Sequence, residues 1–298
     1  MIRLRGLINR FSIPLFFLLT YAWSWWCWLF ITRILEVYHD ILQGVPSILI
    51  VDTIPIYIRI GYAIAGLTAT LSPAIFAIIL TAIIGGKVAL REFFIRLIKW
   101  RVGIRYYFAT FLIPPAMLIL RLGLIILLGG KLQTEISTTS FLVALGMFIN
   151  YFLIAGGQEE LGWRGFAQHK MQGKFNLLLI SLIIGPLWFF WHLPLYLWVP
   201  GVVQHGQSLI FGVLFQTSIC FTFTWLYNRT QSILMPMLLH ATYNFLSALL
   251  PVNVSGSQSV LISWIALIVP NIILGVWLVW RDRSRNNIKL SPHSQVVS

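Results

Sequence analysis

The sequence predicts an all-α, polytopic membrane protein, a bundle of about eight transmembrane helices. Three observations predict it. Hydrophobic residues make up 58% of the 298 and charged residues 10%, against about a quarter charged in soluble domains. The mean hydropathy is +0.85. Apolar stretches of about 20 residues, the length that crosses a hydrocarbon core, recur along the whole chain.

In order, these stretches fall near 11–32, 60–85, 107–128, 140–162, 177–199, 209–227, 232–250 and 260–280. The first has basic residues before it and no small-residue cleavage site after it, so it reads as a retained span rather than a signal peptide. Residues 1–280 are expected to form a single transmembrane domain. The polar tail 281–298 is expected to be disordered and cytoplasmic. No internal repeat and no long linker divides the chain.

Charge placement sets the expected orientation. With both termini cytoplasmic, the inner side receives Arg3, Arg5, Arg10, the cluster from Lys87 to Arg105, Arg164, Lys170, Lys174, Arg229 and the basic residues of the tail, 17 of the 21. Arg33, Arg59, Arg121 and Lys131 fall outside. This is the bias of the positive-inside rule. It also accounts for the net charge of +13 through contact with anionic lipid rather than nucleic acid. Within the cluster, "KVALREFFIRLIKWRVGIRYY" puts Leu90, Phe93, Phe94 and Leu97 on one helical face, with Lys87, Arg91, Glu92, Arg96 and Lys99 broadly opposite. It reads as an interfacial helix or as a basic loop that sets topology. Cys27 and Cys220 lie in apolar stretches and suggest neither a disulfide framework nor a cysteine zinc site.

Ionisable residues inside spans are costly and mark functional sites. Glu159, Glu160 and Arg164 close the fourth span, His192 lies in the fifth, and His240 with Asn244 lies in the seventh. Glu160 and Arg164 stand at i and i+4, so they share a helical face and can pair. Glu159 is turned about 100° away and lacks that partner. His240 and Asn244, again i and i+4, point an imidazole and an amide in one direction. A carboxylate in a poorly solvated place can take a proton from water with help from an imidazole. A second imidazole and the amide can donate to an oxyanion. No metal is favoured, and no HExxH motif is present. Were a metal bound, Glu159, His192 and His240 would form a Glu/His/His zinc set. The same residues could instead relay protons or ions in a transporter or channel.

Three motifs carry a resemblance. "EELGWR" fits E-E-x-x-x-R, "WFFWH" fits aromatic-x-x-x-H, and "HATYN" fits H-x-x-x-N. In this order on successive spans they resemble the CPBP family of CAAX proteases and bacteriocin-processing enzymes, also called Abi, and within it the type II CAAX prenyl endopeptidases. Trp188 stands where the histidine motif often has Phe and is expected to keep an aromatic wall. The resemblance covers about residues 90–250. It implies an eight-helix intramembrane endopeptidase. Glu159 and His192 would activate water, His240 and Asn244 would hold the oxyanion, and Glu160 and Arg164 would support the site. It further implies membrane-tethered or lipidated substrates, since eukaryotic members cleave prenylated CAAX proteins and bacterial members mature peptides or act in immunity and signalling.

Depth strains this scheme. At 1.5 Å per residue, His192 lies about 22 Å from a fifth span's start at 177, His240 only about 12 Å from 232, and Glu159 near its span's inner end. A fifth span starting nearer 183, through Gly185-Pro186, and a fourth continuing to about Ala167 would bring them level. "QHKMQGKFNLL" would then lie along the interface and the pocket would open to the cytoplasm.

Overall fold

A computed structural model describes residues 2–42, 55–134, 139–198, 209–255 and 259–283. It is a polytopic all-α bundle. Helix α1 (Ile2–Arg10) leads into α2 (Ser12–Leu42), α3 (Ile56–Leu97) and α4 (Ile104–Leu127). Strand β1 (Lys131–Thr134) precedes α5 (Phe141–Leu153). The next helix, α6, is composite: a 3-10 turn Gly157–Glu159, an α turn Glu160–Gly162, a π stretch Trp163–Gln168 and a last α turn His169–Met171. Then come α7 (Leu177–Trp191), α8 (Leu193–Trp198), α9 (Leu209–Thr230), α10 (Leu234–Leu249), β2 (Val252–Ser255) and α11 (Ser259–Arg283).

Six segments are long and apolar enough to cross a membrane: Ser12–Ile34, Ile56–Leu97, Ile104–Leu127, Phe141–Met171, Leu209–Thr230 and Val260–Asp282. The other two expected spans are shorter, α7 with 15 residues and α10 with 16. Their helices carry the two site histidines. Large apolar side chains such as Leu18, Trp26, Ile119, Leu127, Phe141 and Ile210 are exposed around the bundle, as a lipid-facing surface requires. Helix α9 is central, packed between α7 and α11, and Cys220, Phe221, Phe223, Leu226 and Tyr227 on it are buried. The strands, which hydropathy does not reveal, pair antiparallel with Lys131 opposite Ser255. They tie the end of α4 to the end of α10.

The basic end departs from expectation in three places. Helix α3 turns at Gly86 (φ 61°, ψ −153°), so 87–97 forms a separate arm. Phe93 on this arm is buried in the protein, whereas Phe94 on the same expected apolar face is exposed. Arg96 and Lys99 do not face headgroups. Arg96 donates to the Gly165 carbonyl at 3.0 Å and to the Tyr227 hydroxyl at 2.5 Å, and Lys99 donates to the Thr230 carbonyl at 2.8 Å. Their charges satisfy one carbonyl inside the π stretch of α6 and one at the end of α9, which hydropathy alone cannot see. Likewise α11 runs past 281 to Arg283, because buried Asp282 pairs with Arg229 and accepts from Asn228 at 2.7 Å. The rest of the expected tail lies outside the described residues.

The depth problem is solved differently from the expectation. Helix α7 starts at Leu177, not near 183. Asn176 caps it, accepting from the Leu179 amide at 2.9 Å, and the helix continues through Pro186. The fourth segment continues past the expected Ala167 to Met171, so Glu159 lies 12 residues before its end. Helix α10 begins inside the protein: Ser232 and Ile233 are buried, and the Ile233 amide donates to the Arg96 carbonyl at 2.9 Å.

Where α6 crosses α3 the helices nearly touch. A Cβ on Gly162 would lie 2.6 Å from Cβ of Pro73 and 2.8 Å from its carbonyl oxygen. Gly162→Ala is expected to force the helices apart at about 1–3 kcal/mol, the usual cost of overpacking. Thermal unfolding in detergent should fall by several degrees.

Candidate active site

The site starts where a helix fails. After α5 ends at Leu153, the amides of Ile154 and Ala155 both turn back to the Asn150 carbonyl, at 2.8 and 2.9 Å. Gly156 takes φ 143°, a conformation reserved for glycine. A Cβ there would sit 2.5 Å from Asn244 Nδ2 and 2.8 Å from His240 Nε2, so the bare backbone at 156 presses directly on both side chains. The chain then re-enters helix as α6. Residues 156–168 are buried without interruption, and the π stretch widens the turn that carries Trp163 and Arg164. Such π segments often accompany functional sites.

Five polar side chains of α6 are buried, and each has a partner. Gln158 accepts from the Gly156 amide at 2.9 Å and donates to the Thr70 carbonyl at 3.2 Å. Gln168 donates to the Thr224 carbonyl at 2.9 Å. Arg164 and Glu160 pair at 2.8 Å, both side chains 0% exposed. Glu160's other oxygen meets His240 Nδ1 at 2.9 Å. The Arg164 guanidinium lies against the adjoining rings of Trp188 and Phe223, 4.7 Å from each, and donates to Cys220 Sγ at 3.2 Å.

Glu159 is held differently. Its Oε2 accepts from two indole N–H groups, Trp163 at 3.1 Å and Trp188 at 2.7 Å. Its Oε1 faces His192 Nε2 at 3.9 Å, too long for a direct hydrogen bond. His192 caps the end of α7, and its Nδ1 lies 3.0 Å from the Trp188 carbonyl. A carbonyl only accepts, so Nδ1 carries a proton and, in the neutral ring, Nε2 offers a lone pair. Asn244 Nδ2 donates to the Ala155 carbonyl at 2.9 Å, which leaves its second N–H for another acceptor.

The six expected residues therefore lie at one locus: three on α6, His192 at the end of α7, and two on α10. Among the described residues, no group of three or more His, Cys, Asp or Glu side chains is placed to hold a metal ion. His240 directs Nδ1 to Glu160, and the indoles occupy one oxygen of Glu159.

Sequence reasoning missed several members. Trp163 stands at i+4 from Glu159, the same spacing that picks Arg164 for Glu160, and was readable by that rule. Trp188 is more than an aromatic wall, since its N–H grips the carboxylate while its face meets Arg164. Gly156 was signalled only by the Gly-Gly before the glutamates. Cys220 had no sequence signal.

This geometry has relatives. The family model described as "Type II CAAX prenyl endopeptidase Rce1-like" matches residues 139–246, the stretch that holds every residue of the site. The protein called CAAX prenyl protease 2 from Methanococcus maripaludis is 30% identical over 207 residues, 64% of this chain and 74% of that protein. The chain belongs to the type II CAAX prenyl endopeptidase family. It is an intramembrane protease.

Trp188→Phe preserves the ring against Arg164 and deletes one N–H to Glu159. A hydrogen bond to a charged group contributes about 1.5–3 kcal/mol, so peptidase turnover should fall roughly ten- to hundredfold with little change in KM. Steady-state kinetics of the purified variant, alongside its unfolding temperature, check this.

Proposed function

We propose that the chain is an endopeptidase that hydrolyses a peptide bond of a membrane-associated protein or peptide, with prenylated CAAX-type substrates the first class to test and bacteriocin- or signal-peptide-type substrates the second. The observation that carries this reading is the 3.9 Å gap between Glu159 Oε1 and His192 Nε2. Both atoms accept, and one water can donate a hydrogen to each, which leaves its lone pair directed at a substrate carbonyl.

The water oxygen attacks the carbonyl carbon while its proton passes to the Glu159–His192 pair. The carbonyl π electrons move onto oxygen, and the oxyanion accepts from the second Asn244 N–H and from His240 Nε2 when that nitrogen carries a proton. Collapse of the tetrahedral intermediate re-forms the C=O, breaks the C–N bond, and returns the proton to the leaving amine. Glu160 and Arg164 position His240 and the wall of the site. No step passes through a metal. The proton- or ion-relay reading of the same residues has no observation in its favour once the family is known.

Orientation follows from the basic end. Arg5 reaches the Ile84 carbonyl, Lys170 reaches Asn9, and Arg229 pairs with Asp282, so α1 and the end of α11 lie on the side that holds the Lys87–Arg105 cluster. The positive-inside rule supports a cytoplasmic assignment for that side, and the proposal puts both termini there with the pocket open inward to a tethered substrate. Residues of about 90–250 serve as the protease core within a transmembrane domain that extends to 280.

Glu159→Gln should abolish cleavage of a quenched, farnesylated CAAX peptide by purified protein while the unfolding temperature stays close to wild type. Near-normal turnover would overturn the assignment. Exhaustive chelation should leave cleavage intact, with well under one equivalent of metal in the purified protein. Inhibition reversed specifically by zinc, together with stoichiometric metal, would restore the Glu/His/His reading.

A further inference from the structure

At the basic end, away from the site, three helices enclose a cavity of about 280 Å³ lined by Arg105, Tyr106, Trp225, Arg229, Leu278 and Arg281. The arginines come from α4, α9 and α11, so no single basic stretch creates the group. Each is braced. Arg105 lies 4.9 Å over the Tyr106 ring and donates to its hydroxyl at 3.1 Å. Arg281 lies 5.2 Å from the Trp277 ring. Arg229 pairs with Asp282, which lies outside the lining. Among the described residues the lining carries three arginines and no carboxylate, with Arg229 already paired to Asp282. Helix α4 begins at the same place, with no acidic residue in its first turn and no side-chain cap, so its first amides add partial positive charge.

We propose that this cavity binds the phosphate of an anionic phospholipid headgroup. Planar guanidiniums suit phosphate oxygens, which they can grip bidentately. Basic pockets between transmembrane helices at one membrane surface favour anionic headgroups. Trp225 and Leu278 give the cavity an apolar wall, and Trp at this level is at home where headgroup meets hydrocarbon. A soluble anion would use the arginines alone, whereas a lipid would also cover that wall.

The test uses the full chain in detergent micelles doped with phosphatidylglycerol or phosphatidylcholine. Lipid retention is read by native mass spectrometry and stabilisation by thermal unfolding. Phosphatidylglycerol should be retained and raise the unfolding temperature, and phosphatidylcholine should do neither. One basic residue contributes about fivefold near an anionic surface. Arg105→Gln with Arg281→Gln should therefore weaken phosphatidylglycerol binding about 30-fold, by the same scale. Arg105→Lys with Arg281→Lys, a pair that keeps the charge and guards against misfolding, should recover only part of it, because the bidentate grip is lost. Lys87→Gln with Arg91→Gln, exposed basic residues that line no cavity, should leave it nearly unchanged. Equal retention of the two lipids would overturn the proposal. So would equal weakening by the Lys87/Arg91 pair, which would indicate general surface charge. Stabilisation by inorganic phosphate matching that by phosphatidylglycerol would reassign the cavity to a free anion.

Discussion

The ion pair between Glu160 and Arg164 is the constraint around which the site is arranged. Both side chains are fully buried in a protein whose surroundings are hydrocarbon, so neither charge can be satisfied by water. Each must find every partner within the bundle, and the search recruits separate helices. Arg164 reaches Cys220 on α9 and lies against Trp188 of α7 and Phe223 of α9. Glu160 reaches His240 on α10. One pair on α6 thereby fixes three neighbours. Losing either partner would strand the other, at about 3–5 kcal/mol for a well-buried pair.

The same arrangement separates two adjacent carboxylates chemically. Glu160 meets a full positive charge and an imidazole. Glu159, one residue earlier and a third of a turn away, meets only neutral indole donors on one oxygen and turns the other toward His192. A compensated carboxylate is a poor base, and one restrained on a single oxygen keeps a reactive atom. The two indoles also fix which oxygen that is. The two glutamates that look redundant in sequence thus have different surroundings.

How much of this was legible depended on whether the signal was local. The i, i+4 relations of Glu160 with Arg164 and of His240 with Asn244 could be read directly, because helical geometry ties spacing to direction. So could the membrane-spanning class and the basic end. The span boundary at 177 matches the start of α7, and only the depth adjustment toward 183 misplaced it, because Gly185-Pro186 looks like a boundary whereas the cap at Asn176 is the stronger local signal. The break at 154–156, the π stretch, the buried start of α10 and the anchoring of Arg96 and Lys99 were not legible. They depend on what other helices present: Gly156 is required by the nearness of Asn244 and His240, and Arg96 by the Gly165 carbonyl. Trp188 was undervalued because pattern matching records its ring and not its N–H.

The helix break and the short helix have a further consequence. Because α5 stops at Leu153 and the helix restarts at Gly157, Glu159 lies in the first turn of α6 rather than mid-helix. Because α7 is only 15 residues long, His192 lies at its C-terminal cap. Helix dipoles carry partial positive charge at the N-terminus and partial negative charge at the C-terminus. A carboxylate therefore faces the end that tolerates negative charge, and an imidazole that takes a proton sits at the end that tolerates positive charge. Two uninterrupted spans crossing the bilayer would have placed both groups mid-helix, with no free backbone amide or carbonyl beside either. The departures from ideal transmembrane helices put two backbone termini inside the bundle, and each lies beside the group whose charge it suits.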